Sequence, residues 1–137
     1  MESLNIRVLN ETDYQEILVG WWNDWGMEAP IKEFLPDDGK GGIMILDGDI
    51  PVCAGFMYAT NSKVAWVDWI VSNKEYRKKP QRKEAISLLL NTLTNIAKDT
   101  GYTYSYALVK NNNLINHYVN VGYTETCEYT NELIKKL

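Results

Sequence analysis

The stretch EYRKKPQRKEA, residues 75–85, sets five basic side chains, Arg77, Lys78, Lys79, Arg82 and Lys83, directly before an apolar helical run. Three uses of that charge are open: a solvated surface, a nucleic-acid patch, or a cradle for a phosphorylated ligand. A helix start presents unpaired N–H groups and a partial positive charge, so a phosphate is readily held there, and basic side chains add charge-assisted hydrogen bonds. Asp68 raises the opposite question. It interrupts VAWVDWIVS, residues 64–72, where burying an unpaired carboxylate is costly. Either it faces solvent or pairs with a lysine, or it has chemistry to perform. The five tryptophans, Trp21, Trp22, Trp25, Trp66 and Trp69, together with Asp24, Glu28, Glu33, Asp37 and Asp38, would suit an aromatic, acidic pocket for a cation. The competing reading, that Trp21 and Trp25 continue a helical stripe into the core, is the stronger one for that pair. His117, the one histidine, reads as a surface residue. Cys53 and Cys127 have no second Cys or His at ligand spacing, so neither a metal site nor a disulfide framework is expected, and both read as small core residues.

These residues must be positioned by one domain, since 137 residues suffice for a single core and not for two. A hydrophobic fraction of 45% with 23% charged residues is that of a globular chain, and no apolar run approaches the ~20 residues that span a bilayer. The N-terminus has no basic region followed by an apolar one, so a cytoplasmic protein is expected. Charge is divided along the chain. Residues 1–60 carry 3 basic and 11 acidic side chains, 3 − 11 = −8, and residues 61–137 carry 11 and 7, 11 − 7 = +4. Two electrostatically different ligands, or merely a polarised surface, would account for that asymmetry.

Leu4, Ile6 and Val8 alternate with polar residues as a half-buried strand. Thr12 is placed to cap a helix on which Tyr14, Leu18, Trp21 and Trp25 share a face and which Gly26 ends. Residues 26–40, with Pro30, Pro36, Gly39 and four acids, read as a loop. Residues 42–60 form a hairpin turning at Asp47-Gly48-Asp49, and 64–72 adds a third strand. Pro80 fits the first position of a helix with Ile86, Leu89, Leu90, Leu93, Ile96 and Ala97 on one face, ended by Gly101. Then follow a strand over 102–109, a helix over 111–121 closed by Gly122, and a final strand in YTETCEYTNELI. The order β-α-β-β-β-α-β-α-β predicts an α+β fold, a central mixed, mostly antiparallel sheet with helices on both faces, the crossover requiring one parallel pair.

In that order and in two local stretches the chain resembles the GNAT superfamily of acetyl-CoA-dependent N-acetyltransferases, over nearly its whole length. One stretch is WIVSNKEYR leading into the basic loop. The other, more specific, is NNNLINHYVNVGY, similar to the family's Asn-x-x-Ala-x-x-x-Tyr-x-x-x-Gly-Phe pattern. On that register Asn111, Tyr118, Gly122 and Tyr123 take the Asn, Tyr, Gly and aromatic positions, with Leu114 where alanine is usual. The resemblance implies that acetyl-CoA, the co-substrate, lies with its phosphates on Arg77, Lys78, Lys79, Gln81, Arg82 and Lys83. It implies that Trp69, Ile70 and Val71 line the acetyl and pantetheine groups, that Asn111 contacts the cofactor, and that Tyr118 protonates the leaving thiolate. A thioester is attacked by a neutral amine, so Asp68, or a water chain to it, is the implied base. Trp25, Glu28 and Trp66 are the candidates for contact with the amine-bearing acceptor.

The loop departs from the family's Gln/Arg-x-x-Gly-x-Gly/Ala. With Arg77 as first residue, Pro80 and Arg82 stand at the glycine positions, and proline has no N–H to give. Either side chains replace those contacts in a shifted register, as the glycine-poor, lysine-rich loops of some phage-encoded members suggest, or cofactor binding is weak or lost. Two functions follow. The first is an N-acetyltransferase acting on a primary amine of a small molecule, peptide or protein by direct attack on the thioester. The second is a catalytically inactive GNAT-fold binding or inhibitor protein with a macromolecular partner. A monomer or homodimer is expected, with no membrane partner, and nucleic-acid binding fits an otherwise acidic chain poorly.

Overall fold

The computed structural model describes residues 4–137. Five strands lie in chain order across one sheet: β1 Leu4–Val8, β2 Gly42–Asp47, β3 Ile50–Tyr58, β4 Val64–Ser72 and β5 Tyr104–Tyr106. Neighbours pair antiparallel except β4 and β5, which are joined by a crossover helix and run parallel. Asp47 faces Ile50 across the β2–β3 turn, where Gly48 adopts φ 61°.

Helix α1, Val19–Asp24, continues a π turn over Tyr14–Leu18, the Val19 N–H reaching back to Tyr14 O. Helix α2, Gln81–Thr100, ends where Gly101 turns left-handed at φ 112° and Tyr102 N–H bonds Ala97 O. Helix α3, Asn112–Asn120, is capped by Asn111, whose Oδ1 accepts the Leu114 N–H at 3.1 Å. The sheet is covered on both faces. Ile43, Ile45, Cys53 and Val67 pack with Leu89, Leu90 and Leu93 of α2 and with Tyr118 of α3. Met44, Ala54, Phe56 and Val71 pack with Leu18, Trp21 and Trp22 on the other side. Double coverage explains the nearly unbroken apolar runs of β2 and β3.

Gly42 marks a close approach. A Cβ there would stand 2.6 Å from Gly55 O and 2.7 Å from the Phe56 ring, and the backbone oxygen cannot swing aside. Gly42→Ala should lower stability by about 1–3 kcal/mol, read as a shift of the urea midpoint at unchanged slope.

Several sequence expectations are corrected. YTETCEYTNELI forms no strand: among the described residues no regular element follows α3. Only Tyr104–Tyr106 of the strand expected over 102–109 pairs. Ile6 and Val8 are exposed, because β1 is an edge strand that no helix covers there. On α1 the buried pair is Trp21 and Trp22, while Trp25 caps the helix and is exposed, because the π turn shifts the helical phase. Thr12 does not cap that helix; its own N–H is bound by Asn10 Oδ1. Pro80 stands one position before α2. Cys53 is a core residue, but Cys127 is exposed, since its segment packs into no sheet.

Candidate active site

The site is made by one irregularity in β4. From the pair Ala54–Val71 to the pair Phe56–Asp68, β3 advances by two residues and β4 by three. The extra residue is a β-bulge, and Trp69 within it takes φ 55°, a left-handed value that a bulky side chain rarely adopts. The bulge turns Asp68, opposite Phe56, and its neighbour Trp69 both toward the α1 face, while Val67 and Ile70 pack on the α2 face.

Beside it the sheet opens. β5 pairs with β4 only from Val64–Tyr104 to Trp66–Tyr106, and the strands then part. Tyr118 reaches the notch from α3. Its hydroxyl donates to Val67 O at 2.8 Å, one residue beyond the last pair, and its ring meets Tyr123 edge to face at 4.9 Å. Burial, with Asp68 and Tyr123 adding, holds its phenol well above the ordinary pKa, so it keeps its proton. Asp68 occupies the other face of the same notch. Its Oδ1 accepts the Trp69 N–H at 2.8 Å. Burial raises its pKa, the Trp69 N–H opposes that, the nearby Glu132 raises it further, and the Leu108 N–H lowers it. The net direction is upward.

On the α1 side the notch opens into a cavity of about 550 Å³ walled by Phe34, Tyr58, Trp66 and Trp69, with Asp68 and, from the C-terminal segment, Glu132. The Tyr58 hydroxyl donates to Phe34 O at 2.7 Å and so ties the 26–40 loop to the sheet. On the other side, a cavity of about 310 Å³ between residues 107–110 and 123–129 includes Tyr118 in its wall.

The basic end lies where β4 runs into α2. Arg82 Nη2 donates to Ser72 Oγ at 3.2 Å, and Trp25 Nε1 donates to Ser72 O at 2.8 Å. Lys74 Nζ and the Arg82 guanidinium lie 5.3 and 5.8 Å from the Trp25 ring centre. Three buried polar atoms gather here without a partner among the described residues: Gln81 Oε1, Arg82 Nε and His117 Nδ1. His117 is half-buried on α3, and its pKa is lowered first by burial and then by the Arg82 and Lys83 charges. Pro80 gives the first turn of α2 no side-chain cap. An uncapped helix start, a spare guanidinium hydrogen and four exposed cations, Arg77, Lys78, Lys79 and Lys83, fit a polyphosphate.

Asp68, Tyr118 and Trp66 thus meet at the notch, and Gln81, Arg82 and the exposed lysines meet at the basic end. Others lie elsewhere. Trp25 sits under the basic end rather than in the aromatic cavity, and Glu28 is exposed and does not line it. Val71 is buried in the α1-side core, and the Asn111 side chain is engaged as a helix cap. Sequence reasoning missed four contributors. Phe34 comes from a loop without periodicity, Tyr58 from an apolar strand, and Glu132 from a stretch read as a strand in which nothing singles out its carboxylate; His117, read as a surface residue, is half-buried because its helix packs beside α2.

No family model and no curated protein matches the chain. Solved structures do. Glucosamine-6-phosphate N-acetyltransferase from Arabidopsis thaliana superposes with TM-score 0.65 at 11% identity, covering 96% of this chain and 99% of that one. A GNAT family acetyltransferase of Staphylococcus aureus gives 0.62 at 18%, covering 96% and 99%. AAC(6')-Iy in complex with the bisubstrate analogue CoA-S-monomethyl-acetylneamine gives 0.65 at 14%, covering 97% and 99%. The chain has the fold of the GNAT acetyltransferases.

Proposed function

We propose that the chain is an acetyl-CoA-dependent N-acetyltransferase acting on a primary amine of a small molecule, peptide or protein. The observation that carries this reading is the meeting of Asp68 and Tyr118 at the notch from opposite faces of β4. A carboxylate set into the otherwise apolar β4 costs folding free energy, and a proton acceptor beside a proton donor is what amine acylation requires. Acetyl-CoA, when bound, supplies an acetyl group on a thioester, whose C–S bond breaks as the C–N bond to the amine forms. Asp68 takes the proton that the amine nitrogen loses. Tyr118 gives one from its hydroxyl to the departing sulfur, and both recover their state by exchange with water. Arg82, Gln81 and the lysines of the 77–83 loop hold the phosphates, side chains standing in for the N–H that Pro80 lacks.

Calorimetric titration with acetyl-CoA and with dephospho-CoA tests the cradle. Micromolar binding to the first, weakened roughly tenfold or more without the ribose phosphate, is expected, as for loss of one charge-assisted contact. Absence of binding to either would overturn the cradle.

A second reading, an inactive GNAT-fold binding or inhibitor protein, draws support from Pro80 and from the engagement of the Tyr118 hydroxyl with Val67 O. Thiol release from acetyl-CoA with any member of an amine panel would exclude it.

A further inference from the structure

The α1-side cavity has a composition that selects its occupant. Its walls are the rings of Phe34, Tyr58, Trp66 and Trp69, and its charged side chains are Asp68 and Glu132. Among the described residues no basic side chain forms an ion pair with either carboxylate. Aromatic faces attract cations and do nothing for anions, and two uncompensated carboxylates repel a negatively charged molecule. Asp68 sits at the β4 bulge. Glu132 approaches from the C-terminal segment, close enough that its charge raises the Asp68 carboxyl. The two acids are unequal: Asp68 is part-buried and hydrogen-bonded by Trp69 N–H, whereas Glu132 is exposed.

We propose that the cavity takes an acceptor carrying two ammonium groups, a compact diamine, with the reacting nitrogen at Asp68 and the second, retained as a cation, at Glu132. This rests on the acetyltransferase reading and deepens it by naming the acceptor class. Glu132 is then a specificity-determining residue: it binds the end of the acceptor that does not react. The aromatic walls hold the methylene chain between the two nitrogens.

The test compares putrescine with n-butylamine, which has the same chain length and one amine, on the full protein and on Glu132→Gln. Direct binding is measured by calorimetry, and thiol release from acetyl-CoA is followed in parallel. The expected result is about tenfold tighter binding of putrescine and a similar advantage in kcat/KM, with both advantages falling to about twofold in the variant. Glu132 is exposed, so the variant should keep the wild-type melting temperature. Equal binding of the two amines, or a preference that survives Glu132→Gln, would overturn the diamine site. The two layers separate cleanly. A Glu132-dependent preference without thiol release sustains the cation site and sinks acetyl transfer, and thiol release without the preference does the reverse.

Discussion

Asp68→Asn is expected to cut turnover by roughly 100-fold or more while raising thermal stability at neutral pH. The two effects have one cause. Burial lifts the Asp68 pKa above that of an ordinary carboxyl, so the folded protein holds the ionised form at a cost. A group whose folded pKa is raised contributes stability below its unfolded value, near 3.9, and loses it as pH rises through the folded value. The asparagine carries no charge and escapes that loss, and its side-chain oxygen can still accept the Trp69 N–H. The same shift makes Asp68 a stronger base than an exposed aspartate. The wild-type rate should fall with decreasing pH through an acid limb displaced upward from the ordinary carboxylate range, and the variant should lack that limb. A variant as active as the wild type, or one that melts lower at neutral pH, would remove Asp68 from the role of buried base.

Tyr118→Phe should lower kcat roughly 100-fold and leave acetyl-CoA affinity within about twofold, since the role proposed for the hydroxyl is on the departing sulfur and the ring stays in place. The change also leaves Val67 O without its donor, at a cost of about 1 kcal/mol in stability. Measuring both separates chemistry from packing. If the tyrosine only packs, stability falls by that amount and kcat does not move. Because the phenol is held well above its ordinary pKa, no alkaline loss of activity from its ionisation is expected near pH 10.

Much of this was legible in the residues. The stripe of α2, the Asp47-Gly48-Asp49 turn and the three-strand meander each rest on a local signal, periodicity or a turn residue, and each formed, with Ile96 of the stripe left exposed. The Asn111 to Tyr123 spacing brought Tyr118 forward, and one carboxylate in an apolar strand brought Asp68 forward. The bulge was hidden, because a strand covered on both faces is apolar at every position and shows no alternation whose phase could slip. The final strand failed for the converse reason. Alternation from Tyr123 to Ile134 is real, but a strand needs an edge to bond, and β5 stops after three residues. The aromatic cavity draws Phe34, Tyr58, Trp66 and Glu132 from four separate stretches, so no single window of sequence contains it.

The position of Trp25 has an optical consequence. Its indole is bonded to the Ser72 carbonyl and flanked by the Lys74 and Arg82 cations. Trp21 and Trp22 are sealed in the core, and Trp66 and Trp69 line the aromatic cavity. An anion that draws Arg82 away from the indole changes the emission of Trp25, whereas an amine between the other rings changes that of Trp66 and Trp69. The unlabelled protein thus carries two separate optical signals, one at the basic end and one at the aromatic cavity, and filling of either place can be followed by light alone.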